Sequence, residues 1–252
     1  MKTVILQAKG LNKSFSAFGN RKTQVLKSID LEIEQGDFTV IMGASGAGKS
    51  TLLYTLSGMD SISQGEVFYK NEKLTNLSEK KMARLRAKEF GFVFQQTHLV
   101  SNLTLFENVK LAGYLAGEKQ AEEKAKELLT QMGVEEVMDH MPHQVSGGEG
   151  QRAAIARAII GSPGVLFADE PTGALNKKSS EEILNIFTAL HQKGQSILMV
   201  THDLRAALRG NRILYLEDGQ ILSERRFPPY DAKQDQKARE AQLNERLSSL
   251  SW

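Results

Sequence analysis

The feature that most restricts this chain is the stretch Gly43-Ala44-Ser45-Gly46-Ala47-Gly48-Lys49-Ser50, set between the apolar run Phe38–Met42 and a helix-like segment opening at Thr51. It fits the phosphate-loop pattern, and the strand-before, helix-after context that gives the pattern meaning is present on both sides. Its glycines let backbone amides converge on phosphate oxygens, and the helix start adds its partial positive charge. Lys49 can then reach β- and γ-phosphates, and the Ser50 hydroxyl can hold Mg2+. A loop of this kind needs a buried strand to deliver it, so the chain must build an α/β fold around Phe38–Met42.

The remaining pattern agrees. Val4–Ala8 and Leu26–Ile33 alternate around a polar stretch containing Gly19 and Asn20, which predicts an antiparallel sheet corner with a loop. Ser78–Lys88 has helical spacing, and Phe90–Phe94 is a short apolar strand ending at Gln95. Leu105–Leu115 and Gln120–Met132 carry apolar residues three and four apart, with Gly117 and Gly133 as stops, so residues 96–162 predict an all-helical lobe. Val165–Ala168, a helix over Ser179–Lys193 and the strand Ile197–Thr201 give the βαβ rhythm of a parallel sheet. Ile213–Glu217 and Gln220–Ser223 flank Asp218-Gly219, a two-residue hairpin signal. From Arg225 the sequence turns polar, past Pro228-Pro229, into a charged helical tail ending at Trp252.

Composition narrows the function. With 252 residues the chain can bury a large core without staples. The 32 basic and 30 acidic residues leave a formal charge of +2, which argues against a surface built for nucleic acid. There is no cysteine, so thiolate metal sites and cysteine nucleophiles are excluded. Met1–Gly10 lacks the pattern of a secretory signal, and no apolar run approaches a bilayer span, so any membrane role is expected to run through a partner.

Val165-Leu166-Phe167-Ala168-Asp169-Glu170 is an apolar strand delivering two carboxylates to its C-terminal end, where ligands gather in open α/β sheets. Taken alone, such a pair is an ordinary solvated turn. Paired with a phosphate loop, Asp169 would bind Mg2+, directly or through water, and Glu170 would polarise the water that attacks the γ-phosphate. Val145-Ser146-Gly147-Gly148-Glu149-Gly150-Gln151-Arg152, opening the helix Ala153–Ile160, offers a serine and two glycines at a helix N-terminus. That is a second anion-binding arrangement, or simply an N-cap.

With this segment the sequence closely resembles the ATPases of ABC transporters, over about Thr3–Ser223. The resemblance implies a P-loop NTPase of α/β class: a RecA-like parallel core at about 1–95 and 163–224, an N-terminal antiparallel β subdomain, an inserted helical lobe at about 96–162, and a tail at 225–252. It implies that ATP with Mg2+ is bound by Gly43 through Thr51. Ser146, Gly147, Gly148 and Glu149 would contact ATP held by a second copy in a head-to-tail dimer. Gln95 resembles the loop glutamine that reaches the metal and the attacking water, and His202 the switch histidine on the γ-phosphate. Phe15 falls where the family stacks an aromatic ring on adenine, with Phe18 as its rival. Gly150 and Asn176 depart from the family pattern; the asparagine replaces an aspartate and is expected to slow or retune hydrolysis.

Asp169-Glu170-Pro171-Thr172-Gly173 and Gly91-Phe92-Val93-Phe94-Gln95 look like the branch containing macrolide exporters, lipoprotein-release ATPases and the cell-division ATPase. The loop Gly173-Ala174-Leu175-Asn176 is similar to that of bacitracin-type detoxification transporters. The resemblance thus implies a peripheral protein on the cytoplasmic face of the membrane, working beneath an FtsX-like permease that docks around Leu99–Val109, without nucleic acid. Lipoprotein release or macrolide efflux is the alternative within transport. ABC ATPases that act on ribosomes or DNA form another class, but they generally carry two ATPase domains or a coiled-coil insertion, and neither is visible here.

Overall fold

The computed structural model describes residues 3–16, 22–231 and 236–249; Phe18, the loop around Gly19-Asn20, and Trp252 lie outside them. Strands β1 (Val4–Ser16) and β2 (Lys22–Glu34) form a long antiparallel pair, with β4 (Gln64–Tyr69) and β5 (Glu72–Lys73) added beyond β1. The central sheet has the order β10-β9-β3-β8-β7-β6: β3 (Phe38–Met42), β6 (Phe90–Phe94), β7 (Val165–Asp169), β8 (Ser196–Thr201) and β9 (Arg212–Glu217) run parallel, and β10 (Gln220–Arg226) closes the edge antiparallel. The helices are α1 (Lys49–Leu56), α2 (Glu79–Glu89), α3 (Leu105–Ala116), α4 (Ala121–Gln131), α5 (Gly147–Ile159), α6 (Lys177–Gln192), α7 (Leu204–Ala207) and α8 (Gln236–Ser249).

The apolar central strands follow from burial on both faces. Alternate residues of each strand enter two different cores: Ile41, Phe167, Leu198 and Leu214 meet α1 and the antiparallel sheet, whereas Val40, Leu166, Met199 and Ile213 meet the helical side. With no water on either face, polar alternation would leave unsatisfied groups inside. The β9–β10 turn matches its sequence signal, since Asp218 and Gly219 both have positive φ, as a type I′ turn requires.

Helix α5 begins six residues earlier than the expected Ala153. Ser146 N-caps it: its Oγ accepts from the Glu149 amide, and the Glu149 carboxylate accepts from the Ser146 amide, a reciprocal capping box that outweighs the poor helix propensity of Gly147, Gly148 and Gly150. Helix α8 is not simply a solvated tail. Leu243 is fully buried in the main core, and Arg239 donates to the carbonyls of Pro228 and Gly210 while its guanidinium lies over the Phe227 ring.

Candidate functional site: a phosphate loop facing paired carboxylates

The loop from Gly43 to Gly48 leaves β3 and enters α1. A Cβ on Gly43 would stand 2.4 Å from the Leu216 carbonyl oxygen, so only glycine lets the loop pass the end of β9. Gly48 is the N-cap of α1 at φ 101° and brings no side chain to cap it, which leaves the first-turn amides for a ligand. Ala44, Ser45 and Gly46 are exposed, while Gly43 and Ala47 are buried beneath them. The Ala47 carbonyl accepts from the Gly219 amide, so the β9–β10 turn braces the loop. Lys49 bends back along the loop, its Nζ donating to the carbonyls of Gly43 at 2.7 Å and Ala44 at 3.1 Å.

Ser50 and Tyr54 lie one turn apart on α1 and address the same carboxylate. Ser50 Oγ donates to Asp169 Oδ1 at 2.9 Å, and the Tyr54 hydroxyl to Oδ2 at 2.5 Å. Burial, then the hydrogen bond and charge of Asp169, push the Tyr54 phenol well above its ordinary range. Thr51, the next residue along, is half-buried.

Glu170 follows β7 with φ 47°, a left-handed conformation that side-chain-bearing residues adopt at a cost of about 1 kcal/mol or more. Its amide donates to the Val200 carbonyl and its carbonyl accepts from the Gly173 amide, which hold the turn in place. The turn aims the carboxylate across the end of β8. There Oε2 accepts from Thr201 Oγ1 at 3.0 Å, and Oε1 lies 2.9 Å from His202 Nδ1. His202 is otherwise exposed. Gln95, exposed just beyond β6, lies against Gly173, where an added Cβ would come within 2.9 Å of its Nε2.

Ser146 and Gly147 are exposed at the start of α5, and Gly148 is buried against Ser179. The Ser146 hydroxyl and amide hold the Glu149 carboxyl below the usual carboxylate range. Asn176 N-caps α6, its Oδ1 accepting from the Ser179 amide at 2.9 Å. Phe15, at the end of β1, is 44 % exposed, and the Lys13 ammonium lies over its ring, 4.7 Å from the centroid.

The structure therefore brings Ser50 together with Asp169, and Glu170 with His202, while Lys49 stays on the carbonyls of its own loop. Tyr54, on Asp169, and Thr201, on Glu170, complete these contacts and were not singled out by the sequence. Tyr54 had a readable signal, because the i,i+4 spacing from Ser50 puts both on one face of α1. Ser50 and Asp169 supply the hard oxygens that suit Mg2+. Among the described residues no group of three or more carboxylate or histidine side chains is arranged to hold a metal by itself. That donor set fits an Mg2+ ion that arrives with a nucleotide and is completed by its phosphates. No helix among the described residues is long and apolar enough to cross a membrane.

A family model described as ABC transporter matches residues 26–173. The bacitracin export ATP-binding protein BceA of Halalkalibacterium halodurans is 43% identical over 223 residues, covering 87% of this chain and 88% of the relative. The macrolide export ATP-binding/permease protein MacB of a Shewanella species is 37% identical over 254 residues; the match takes in 100% of this chain and only 39% of that larger protein. The dimeric post-hydrolysis structure of the ATP-binding cassette MJ0796 bound to ADP and Pi superposes with a TM-score of 0.82 at 35% identity, covering 90% of this chain and 100% of that one.

Proposed function

From the premise that this chain belongs to the ABC transporter family and is one of its ATPases, we propose that it hydrolyses ATP as one of two identical copies that drive an FtsX-like permease, most specifically one conferring resistance to antimicrobial peptides of the bacitracin kind. The observation that carries the catalytic part is Glu170, held in a left-handed turn with each carboxylate oxygen engaged, beside the Ser50–Asp169 pair.

In this reading a nucleotide lies along Gly43–Thr51, its phosphates drawing Lys49 off its two carbonyls, and its adenine rests on Phe15. Ser50, Asp169 and Gln95 would hold Mg2+, directly or through water, and the ion would supply charge neutralisation to the phosphates. Glu170 accepts the proton of the attacking water. A carboxylate can only accept, so the proton shared with His202 sits on Nδ1, and the ring's Nε2 edge is left to face a γ-phosphate. The exposed Ser146 and Gly147 suit a phosphate brought by a second copy, and the likeness to a dimeric cassette supports that arrangement. The core at about 1–95 and 163–224, the helical lobe at about 96–162 and the tail at 225–252 are the divisions of this reading.

A peripheral place on the cytoplasmic face follows from pairing with a permease. Val100, Leu111, Tyr114 and Leu115 are exposed on the helical lobe, beside a cleft of about 340 Å3 lined in part by Phe92, Phe94, His98 and Ala112. Apolar residues left open beside a concavity suit a docking helix. The bacitracin assignment rests on the relative's export role and the Asn176 loop; macrolide efflux is the second reading, favoured by the match to MacB.

Glu170→Gln tests the catalytic claim. ATP binding should persist while turnover falls by about 100-fold or more; unchanged turnover refutes it. Membrane capture of the same variant in ATP should retain one multi-span permease, and recovery of ribosomes or DNA factors instead would refute the transport claim.

A further inference from the structure

Three segments with separate parts in the proposed reaction converge on a single side chain. Gln151 lies in α5, 1% exposed, and its Nε2 donates to the Phe94 carbonyl at 2.9 Å and to the Pro171 carbonyl at 2.9 Å. Phe94 is the residue before Gln95, and Pro171 is the residue after Glu170. Gln151 itself stands one helical turn from Gly147, on the helix that Ser146 caps. Both amide protons are thereby committed, one to each half of the catalytic apparatus, with no water-exposed alternative.

A second contact from the same helix reinforces the arrangement. Arg157 donates to the carbonyls of Thr97 at 2.7 Å and His98 at 2.6 Å, and burial depresses its guanidinium below the ordinary value. Gln95 therefore sits between two points of attachment, Phe94 before it and Thr97-His98 after it, both tied to α5. Its side chain in turn lies on Gly173, in the turn that Pro171 begins.

We propose that Gln151 is a positioning residue that aligns Gln95 and Glu170 of its own chain when the Ser146-Gly147-Gly148 turn of that chain engages ATP held by the second copy. The inference rests on the ATP-sandwich reading above. A helix moves as a rod, so a shift at Ser146 and Gly147 reaches Gln151 one turn later. Because the bridging amide has no slack and no solvent substitute, the two carbonyls must follow it. Engagement of one nucleotide then readies the other site, and by linkage the coupling is reciprocal. The energy of this coupling is carried by a contact that touches neither nucleotide.

The test uses the full chain and its Gln151→Met variant, which keeps the side chain's length and bulk but donates nothing. Steady-state ATP hydrolysis is measured against ATP concentration, alongside the thermal midpoint. Wild type should show a Hill coefficient well above 1, up to about 2 for two coupled sites. Gln151→Met should bring it to about 1 and lower kcat by about tenfold, with KM within about threefold of wild type. A residue that merely packs the core would shift the thermal midpoint and leave the Hill coefficient of the folded protein unchanged. That outcome, or a wild-type coefficient of 1, overturns the proposal. Should Gln151→Met fail to fold, hydrogen exchange on Glu170→Gln with rising ATP decides instead. Residues 94–98, 146–152 and 171–175 should gain protection at one common midpoint, and separate midpoints overturn it. Wild-type turnover in Glu170→Gln would sink the ATPase site assignment itself, whereas loss of turnover there with an unaltered Hill coefficient in Gln151→Met sinks only this inference.

Discussion

Tyr54 and Asp169 share a 2.5 Å hydrogen bond from the phenol to Oδ2, while Ser50 holds Oδ1, so both oxygens of the Asp169 carboxylate are fixed from one face of α1. Burial, and then the neighbouring carboxylate, hold the phenol protonated far past neutral pH, so it remains a donor throughout the working range. Tyr54→Phe keeps the ring and frees Oδ2. A hydrogen bond to a charged group contributes about 1.5–3 kcal/mol, so the Mg2+ concentration for half-maximal hydrolysis should rise by about tenfold or more. KM for ATP at saturating Mg2+ should stay put. An Mg2+ titration superimposable on wild type would remove Tyr54 from the site.

Gly43→Ala should weaken nucleotide binding without unfolding the sheet. Its Cβ would lie 2.4 Å from the Leu216 carbonyl oxygen, a backbone atom of β9 that cannot swing aside. The loop must therefore move, and amide convergence is lost. Affinity for a fluorescent ATP analogue should drop by at least about tenfold, the equivalent of about 1.4 kcal/mol. Wild-type affinity would mean that the loop tolerates displacement there.

What the sequence made legible was whatever is written locally. The phosphate loop is a backbone motif of consecutive residues, and the runs Phe38–Met42 and Val165–Asp169 are apolar on both faces because both faces are covered. Strand β4 escaped the reading because its inward residues, Val67 and Tyr69, make sense only once it pairs with β1, some 60 residues away. Gly147, Gly148 and Gly150 hid the true start of α5, although Ser146 and Glu149 already stood at capping-box spacing. In the site, Thr201 and Gln151 act through bonds spanning 31 residues and, for Gln151, 57 and 20 residues, and no local pattern announces such partners.

The two departures from the family pattern make opposite demands. At Gly150 a Cβ would meet only Thr97 Cγ2 at 3.6 Å and Val145 Cγ2 at 4.0 Å, an ordinary contact inside a helix. Gly150→Ala should therefore raise stability by about 0.5–1 kcal/mol, read from chemical denaturation. At position 176 the side chain caps α6, so Asn176→Ala should cost about 1 kcal/mol while Asn176→Asp retains the cap. If Asn176→Ala proves neutral, the cap contributes nothing.

The capping box of α5 should weaken in acid. Glu149 is held below the usual carboxylate range first by the Ser146 hydroxyl and then by the Ser146 amide. A depressed carboxylate contributes stability that is complete above its unfolded value, near about 4.3, and fades as pH falls through the lower folded value. The group is largely solvent-facing, so screening limits the effect to about 0.5 kcal/mol. Glu149→Gln should lie slightly below wild type in thermal midpoint at pH 7 and meet it near about pH 3. A gap that persists in acid would mean the carboxylate's charge is not what the cap uses.

Helix α8 offers the clearest separation of local from global stability. Leu243 is fully buried in the main core, and the helix is further held by Arg239 on Pro228, Gly210, Phe227 and Tyr230 and by Gln242 on Arg225. Truncating a buried leucine removes about 2–5 kcal/mol where the site cannot relax. Here the helix can release instead, because a helix packed outside the sheets can open at less than the global free energy. Leu243→Ala should accordingly speed limited proteolysis within 236–249 by at least about tenfold while moving the thermal midpoint of the core by no more than about 2–4 °C. A large fall in that midpoint with no selective cleavage would instead make α8 an integral part of the cooperative core.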